Sequence, residues 1–305
     1  MKKLKVVVKV PAKINLALKV GALADDGFHP LETVFQAIDI YDEIIATSAQ
    51  GLSLSIEGEG AEELGTGSDN LAYKAAALLA QHAGIEPNVH LHITKKIPIA
   101  GGLAGGSANA AGTLVACDSL WRLDTDKDEL LALASQLGAD VSFALLGGTA
   151  LGRGRGEKLT TMLNRGEFHW VLAVSSTGLS TPEVYRVFDM LNPDPIPPAI
   201  DTRLAGALAT GDVTLASECF SNDLQAAAIK MRPQIKRILA SGLDAGAIGA
   251  LVSGSGPTCA FLARNPNHAL HIAGELQASG VVERTMIASG PAKGAHIVSR
   301  EQYFD

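Results

Sequence analysis

Residues 98–108, Pro-Ile-Ala-Gly-Gly-Leu-Ala-Gly-Gly-Ser-Ala, set four glycines between a strand-like segment (89–93) and an Ala-rich run. That run reads as a helix over 107–120. Glycine admits left-handed backbone and lets N–H groups approach a ligand with no Cβ in the way. A loop of this kind feeding a helix N-terminus suits an anion, most often phosphate. No Gly-Lys-Ser/Thr follows the glycines, so this is not a Walker-type loop. The Gly-x-Gly-x-x-Gly spacing of a dinucleotide site is also absent. A phosphate held here therefore requires a different fold from those two.

A chain of 305 residues favours two domains, drawn here at 1–160 and 161–305. The net charge of −7 argues against nucleic-acid binding. Cys117, Cys219 and Cys259 form no C-x-x-C pair and read as buried free thiols, expected in a cytoplasmic protein. Lys9, Lys13 and Lys19 interrupt the apolar N-terminal stretch, so neither a leader nor a membrane span is expected.

Residues 4–10 and 14–20 read as strands broken at Pro11–Lys13, and 31–49 and 52–57 as further strands. Leu71, Ala75, Leu78, Leu79 and His82 share a helical face behind an Asp69 or Asn70 cap. Thr125 and Asp128 suggest a capping box for a helix over 126–137, and Asp140 stands where it would cap a further turn. In the second half, strands are expected at 169–175, 247–252 and 258–263. Helices are expected at about 200–220 and 223–241, the latter divided near Pro233. The mixed order indicates an α+β protein.

Three segments stand far apart: Pro11-Ala-Lys-Ile-Asn-Leu16, and two rich in small residues and glycine, the 98–108 loop and Val252-Ser-Gly-Ser-Gly-Pro257. Together they resemble the three motifs of the GHMP small-molecule kinases. The strings Asp26-Gly-Phe-His-Pro-Leu31, Leu137-Gly-Ala-Asp-Val-Ser-Phe143 and 148–157 are similar to the branch acting on 4-diphosphocytidyl-2-C-methyl-D-erythritol. The likeness spans about residues 6 to 264, with its motifs in order.

The resemblance implies a two-domain GHMP kinase fold: a ribosomal-protein-S5-like N-terminal ATP-binding domain (1–160) and a ferredoxin-like C-terminal one (161–305). It implies ATP and Mg²⁺ as cofactors and phosphorylation of the substrate's 2-hydroxyl, on the non-mevalonate route to isoprenoid precursors. Asp140 would be the base and Lys13 its cationic partner. ATP would lie against Asn70, Lys96, Pro98, Gly101, Gly102, Leu103, Gly105, Gly106 and Ser107. Asn15, Phe28, His29, Thr181 and Tyr185 would meet the substrate, with Phe28 and Tyr185 stacking on cytosine. Ser253, Gly254 and Ser255 would back the glycine loop from the other domain. Monomer and homodimer both fit, with no nucleic-acid or membrane partner.

Each residue also has a plainer reading. Asp140, Asn70 and Thr181 would serve as helix caps, Lys13 as a surface lysine, and Phe28 and Tyr185 as core aromatics. Asn109 stands where the family usually has Asp, and is expected to stabilise the helix start rather than to hold metal. A homoserine or mevalonate kinase and a catalytically silent nucleotide sensor are the alternatives. The 26–31 and 148–157 strings disfavour the first, and the presence of both Lys13 and Asp140 disfavours the second. His90-x-His92 and His268/His271 fit no zinc spacing.

Overall fold

Val6, Val7, Val8, Val10, Ile14 and Val20 give the N-terminal stretch its β-branched character, and in the computed structural model it forms one strand, β1 (Lys2–Val20). The structure describes residues 2–99 and 101–304. The expected break at Pro11–Lys13 is instead a register shift against β2 (Leu31–Ser48) between Pro11 and Ala12, with a second between Asn15 and Ala17. Proline lacks an N–H, and a bulge is one of the few places a sheet accommodates it without losing a ladder bond.

The first sheet runs β12-β1-β2-β4-β3, where β3 is Leu52–Gly58, β4 Val89–Lys95 and β12 His296–Phe304. β5 (Thr149–Gly154) pairs with the 31–36 end of β2 and carries β6 (Lys158–Thr161). On the edge of β1 away from β2, β12 covers residues 2–9 and the short β8 (Ser221–Asn222) covers Ala17 and Leu18. Between them no strand is paired to β1 among the described residues. There Lys13 N–H donates to the Leu103 carbonyl at 3.2 Å, so the glycine loop fills the gap.

Helices α1 (Leu71–Ala83), α2 (Gly105–Trp121), α3 (Lys127–Leu137) and α4 (Ala139–Leu146) pack around this sheet. α2 is built almost wholly of small residues and is buried on most sides, as a helix without a polar face must be. α3 is capped by Asp126, whose carboxylate accepts Glu129 N–H at 2.9 Å; the expected Thr125 capping box does not form.

The second sheet runs β11-β7-β10-β9, entirely antiparallel, with β7 Phe168–Val174, β9 Gly249–Val252, β10 Cys259–Ala263 and β11 Arg284–Gly290. Numbered within this unit, the order is 4-1-3-2, that of a ferredoxin-like sheet. α9 (Gln234–Asp244) and α10 (Pro266–Ala278) pack on it. α5 (Thr181–Leu191), α6 (Arg203–Thr210), α7 (Val213–Glu218) and α8 (Gln225–Met231) lie between β7 and α9 in sequence. The 161–305 segment does not stay apart from the first: β12 returns to the first sheet, and one apolar core runs from Val6 to Ala288. Polar contacts also seat the units together. Trp170 donates to Gln36 at 2.9 Å, and Arg284 forks onto Glu59 at 2.7 and 2.9 Å.

Candidate active site

Where the two units meet, three neighbouring cavities follow one another. The central one, about 310 Å³, is lined by Lys13, Asn15, Asp140, the glycine loop and Ser255. On one side it adjoins a cavity of about 470 Å³ around Phe28, His29 and Tyr185. Beyond Gly105 and Gly106 lies one of about 340 Å³ at Asn70, Lys95 and Asn109.

Lys13 is buried on the unpaired edge of β1, not a surface lysine. Its Nζ donates to Asn15 Oδ1 at 2.8 Å; Asn15 Nδ2 donates to Thr33 Oγ1 at 2.9 Å, and Thr33 in turn donates to the Ala17 carbonyl. This chain holds the ammonium 3.7 Å from Asp140 Oδ2. Asp140 is the second residue of α4, whose N-cap is Gly138 without a side-chain cap bond. The capping reading of Asp140 is therefore replaced by a carboxylate in the cleft, about one third exposed.

α2 begins two residues before the expected Ser107, so Gly105 and Gly106 form its first turn and line both the central and the outer cavity. Its N-cap, Ala104, is in the left-handed region at φ 61°, a conformation that strains any residue with a Cβ, and it supplies no cap bond. The first N–H groups of the helix thus face the cleft without a side-chain acceptor, where the macrodipole favours an anion. Gly102 (φ +77°) packs against the third motif so closely that a Cβ would lie 2.2 Å from the Ser253 carbonyl oxygen. Ser253 is buried and donates to the Gly102 carbonyl at 3.1 Å. Gly254 would carry a Cβ 3.3 Å from Lys13 Nζ. Pro98, Gly101 and Gly102 line the central cavity; Leu103 is a core side chain whose contribution is its carbonyl. Ser107 is half-buried in the first turn of α2, and Ala100 lies outside the described residues.

Of the two lysines at the loop's entry, Lys96 is exposed and lines none of these cavities, whereas Lys95 is buried and lines the outer one. Strand alternation explains the exchange: Lys95 ends the inward register of β4, and Lys96 falls on the other side. Lys95 pairs with the fully buried Asp42, and donates to Asn109 Oδ1 at 3.2 Å. Asp42 Oδ1 accepts the N–H groups of Lys96 and Ile97 at 2.7 and 2.8 Å, and Oδ2 accepts from Asn109 at 2.7 Å. One carboxylate thus binds the start of the loop to the helix beyond it. Asn109 is not a helix-start residue but a bridge within this cluster, accepting from Lys95 and donating to Asp42. Asp42 escaped the sequence reading, though an Asp in register with the inward Ile40 and Ile44 was the available signal. Asn70 is both cap and wall: it accepts Ala72 N–H at 2.9 Å and lines the outer cavity.

At the other end, His29 is buried with Nδ1 donating to the Gly21 carbonyl at 2.8 Å and Nε2 3.5 Å from Asp189. Its ring lies 5.1 Å from that of Tyr185. Burial, and to a lesser degree the Asp140 carboxylate, pushes the Tyr185 hydroxyl up to about 12, so it stays a phenol at neutral pH. Phe28 is half exposed with Arg155 stacked on its ring, so it is not a core aromatic. Thr181 is not a cap either; its hydroxyl meets Ser255 Oγ at 2.9 Å, joining α5 to the third motif. Asn222, also missed from sequence, donates to the Val252 and Gly254 carbonyls at 2.7 Å each and so shapes that motif. The three cysteines are free and buried, and burial pushes the Cys259 thiol up to about 12. Among the described residues no helix is long and apolar enough to cross a membrane, and no group of three or more His, Cys, Asp or Glu could hold a metal.

Residues 70–148 match the family described as GHMP kinases N terminal domain, and 204–282 that described as GHMP kinases C terminal. The chain is 50% identical over 297 residues to a 4-diphosphocytidyl-2-C-methyl-D-erythritol kinase of Mycolicibacterium smegmatis, covering 96% of this chain and 92% of that one. Among solved structures it is similar to a 4-(cytidine 5'-diphospho)-2C-methyl-D-erythritol kinase at 32% identity and TM-score 0.76, over 95% of this chain and 98% of that one. A homoserine kinase from Cytophaga hutchinsonii shares the fold, at 18% identity and TM-score 0.74 over 96% of this chain and 97% of that one.

Proposed function

This chain belongs to the GHMP kinases, and from that membership we propose that it transfers the terminal phosphoryl group of ATP to the 2-hydroxyl of 4-diphosphocytidyl-2-C-methyl-D-erythritol. The substrate class is carried over from relatives sharing half of their residues with this chain; the 26–31 and 148–157 strings support the same choice. On this reading, 1–160 grips ATP and 161–305 completes the acceptor side. The product would feed isoprenoid precursor synthesis.

The observation that carries the chemistry is the Asp140 carboxylate, facing the Lys13 ammonium at 3.7 Å in the cavity that the first turn of α2 also lines. Phosphoryl transfer passes through a loose transition state in which positioning and charge neutralisation count most. The nucleoside of ATP would occupy the outer cavity beside Asn70, with its phosphates on the N–H groups of Gly105, Gly106 and Ser107. The acceptor hydroxyl would lie between Asp140 and those phosphates. There Asp140 Oδ2 would take its proton as the new P–O bond forms and the bond from the terminal phosphorus to the bridging oxygen breaks, releasing ADP. Lys13, fixed by Asn15, balances the charge that gathers there. Mg²⁺ would supply charge neutralisation on the phosphates. Asp42 is committed to Lys95 and Asn109, so the cleft suits an ion carried on ATP, with Asp140 the carboxylate within the central cavity. The cytosine would enter the cavity of Phe28, His29 and Tyr185.

The test is phosphotransfer to this substrate, to homoserine and to mevalonate by wild type and Asp140→Asn. Expected is turnover of the cytidine-linked substrate alone, with kcat lowered roughly 10²–10⁴-fold in the variant. Equal kcat in the two proteins would remove Asp140 from the mechanism. Turnover of homoserine or mevalonate instead would overturn the substrate assignment.

A further inference from the structure

Arg155 stands where the cytosine-type cavity and the central cavity meet, and it lines both. The other residues shared by the two are Leu31, Thr181 and Tyr185, so Arg155 is their one common cation. Its guanidinium carbon lies 3.6 Å from the centre of the Phe28 ring. Nη2 donates to Asp26 Oδ2 at 2.9 Å, and the other oxygen of Asp26 accepts Phe28 N–H at 3.0 Å. Ring, carboxylate and guanidinium are thus held in one arrangement. A guanidinium has five N–H donors, and among the described residues Asp26 is the one side chain that receives any of them.

The arrangement has little value to the fold itself. Arg155 and Asp26 are both more than half exposed, and exposed ion pairs contribute little to stability. What it accomplishes is to orient a planar cation, with spare donors, on the wall between two cavities. A substrate with a base in one cavity and a hydroxyl in the other must carry its diphosphate past that wall. Planar guanidinium donors match phosphate oxygens in geometry and charge. Lys13, the other cation of the central cavity, is already engaged with Asn15 and Asp140.

We propose that Arg155 binds the diphosphate of the cytidine-linked substrate, with Phe28 and Asp26 holding its guanidinium open to the cleft. The inference rests on the substrate reading above. It also gives Phe28 a second task, as the platform for Arg155.

The test is to titrate cytidine and CDP into wild type, Arg155→Met and Arg155→Lys, and to measure KM for ATP in each. Wild type should bind CDP at least about tenfold more tightly than cytidine. Arg155→Met should reduce that preference to within about twofold, with cytidine affinity and KM for ATP little changed, and Arg155→Lys should retain part of it. The inference is overturned if Arg155→Met keeps the CDP preference. It is equally overturned if KM for ATP rises while CDP binding holds, which would assign Arg155 to the phosphates of ATP. Loss of cytidine binding to the same extent as CDP would make Arg155 a prop for Phe28 and nothing more, again overturning it. Should wild type bind neither cytidine nor CDP, the substrate reading itself fails and takes this inference with it.

Discussion

At the end of the cleft to which we assign ATP, the groups facing the cavity are backbone N–H donors supported by fully buried side chains. At the end to which we assign the acceptor they are side chains, several of them half exposed. The glycine loop is held by Asp42, Lys95 and Asn109, all inside the core, and by Ser253 across the unit boundary. Phe28, Arg155 and Asp26 sit on an exposed loop and a strand end, bound mostly to one another. The contrast has a physical basis. Phosphate can be bound by main chain, whose placement the core dictates, whereas a base and its linker must be read by side chains. Substitutions at the first end should therefore destabilise the protein as well as weaken ATP binding. Those at the second should alter substrate affinity alone.

The largest effect is expected at Asp42. Asp42→Asn leaves the buried Lys95 without its counter-charge and should cost about 3–5 kcal/mol in urea unfolding. KM for ATP should rise more than KM for the acceptor. A loss under about 1 kcal/mol would mean that the core does not hold the nucleotide end. Gly102→Ala comes next: it forces a side chain into left-handed backbone and against the Ser253 carbonyl, at about 2–3 kcal/mol. The same two readouts should move together, and stability unchanged with normal ATP binding would refute the packing argument. At the acceptor end, Tyr185→Leu should raise KM for the cytidine-linked substrate about tenfold through lost stacking, with the unfolding midpoint altered far less. A large drop in midpoint with unchanged KM would make Tyr185 a core residue after all.

The smallest expected effect belongs to Glu283, outside the cleft. Hydrogen bonds from Ser176 and Ser175 hold its carboxyl at about 2, below its ordinary 4.5. A depressed folded-state pKa contributes stability above about pH 4.5, and that contribution is lost as pH falls toward about 2. Glu283→Gln should flatten the stability profile in that window and leave KM for both substrates unchanged. An identical profile in the variant would assign the acid sensitivity elsewhere.

Much of the fold was legible where one local rule dominated. Apolar spacing marked α1, and of the two caps the sequence offers, Asp69 and Asn70, the structure uses Asn70. Pro233 divides α8 from α9 as a missing N–H requires. The errors fall where long-range pairing overrides local preference. Pro11 reads as a strand end, yet β2 on one side and the glycine loop on the other carry β1 straight through it. Asp140 and Thr181 read equally well as caps, because a cap and a cleft residue use the same side chains at the same helix starts. Arg155 lies within the 148–157 string, but nothing in that string gave it a role: its meaning comes from Phe28 and Asp26, distant in sequence, and from the two cavities it lines.

The order of motifs in the sequence was enough to single out a glycine loop without a Walker lysine, and to associate it with Lys13, Asp140 and the 253–255 turn that the structure brings beside it. That follows because glycine content, hydroxyls and spacing are properties of the chain itself. Which lysine turns inward, whether Asp140 caps or faces Lys13, and what Asn109 does were decided by tertiary structure alone. Each depends on a partner from another element: the register of β4 buries Lys95 rather than Lys96, Gly138 takes over the cap of α4, and Asp42 claims Asn109.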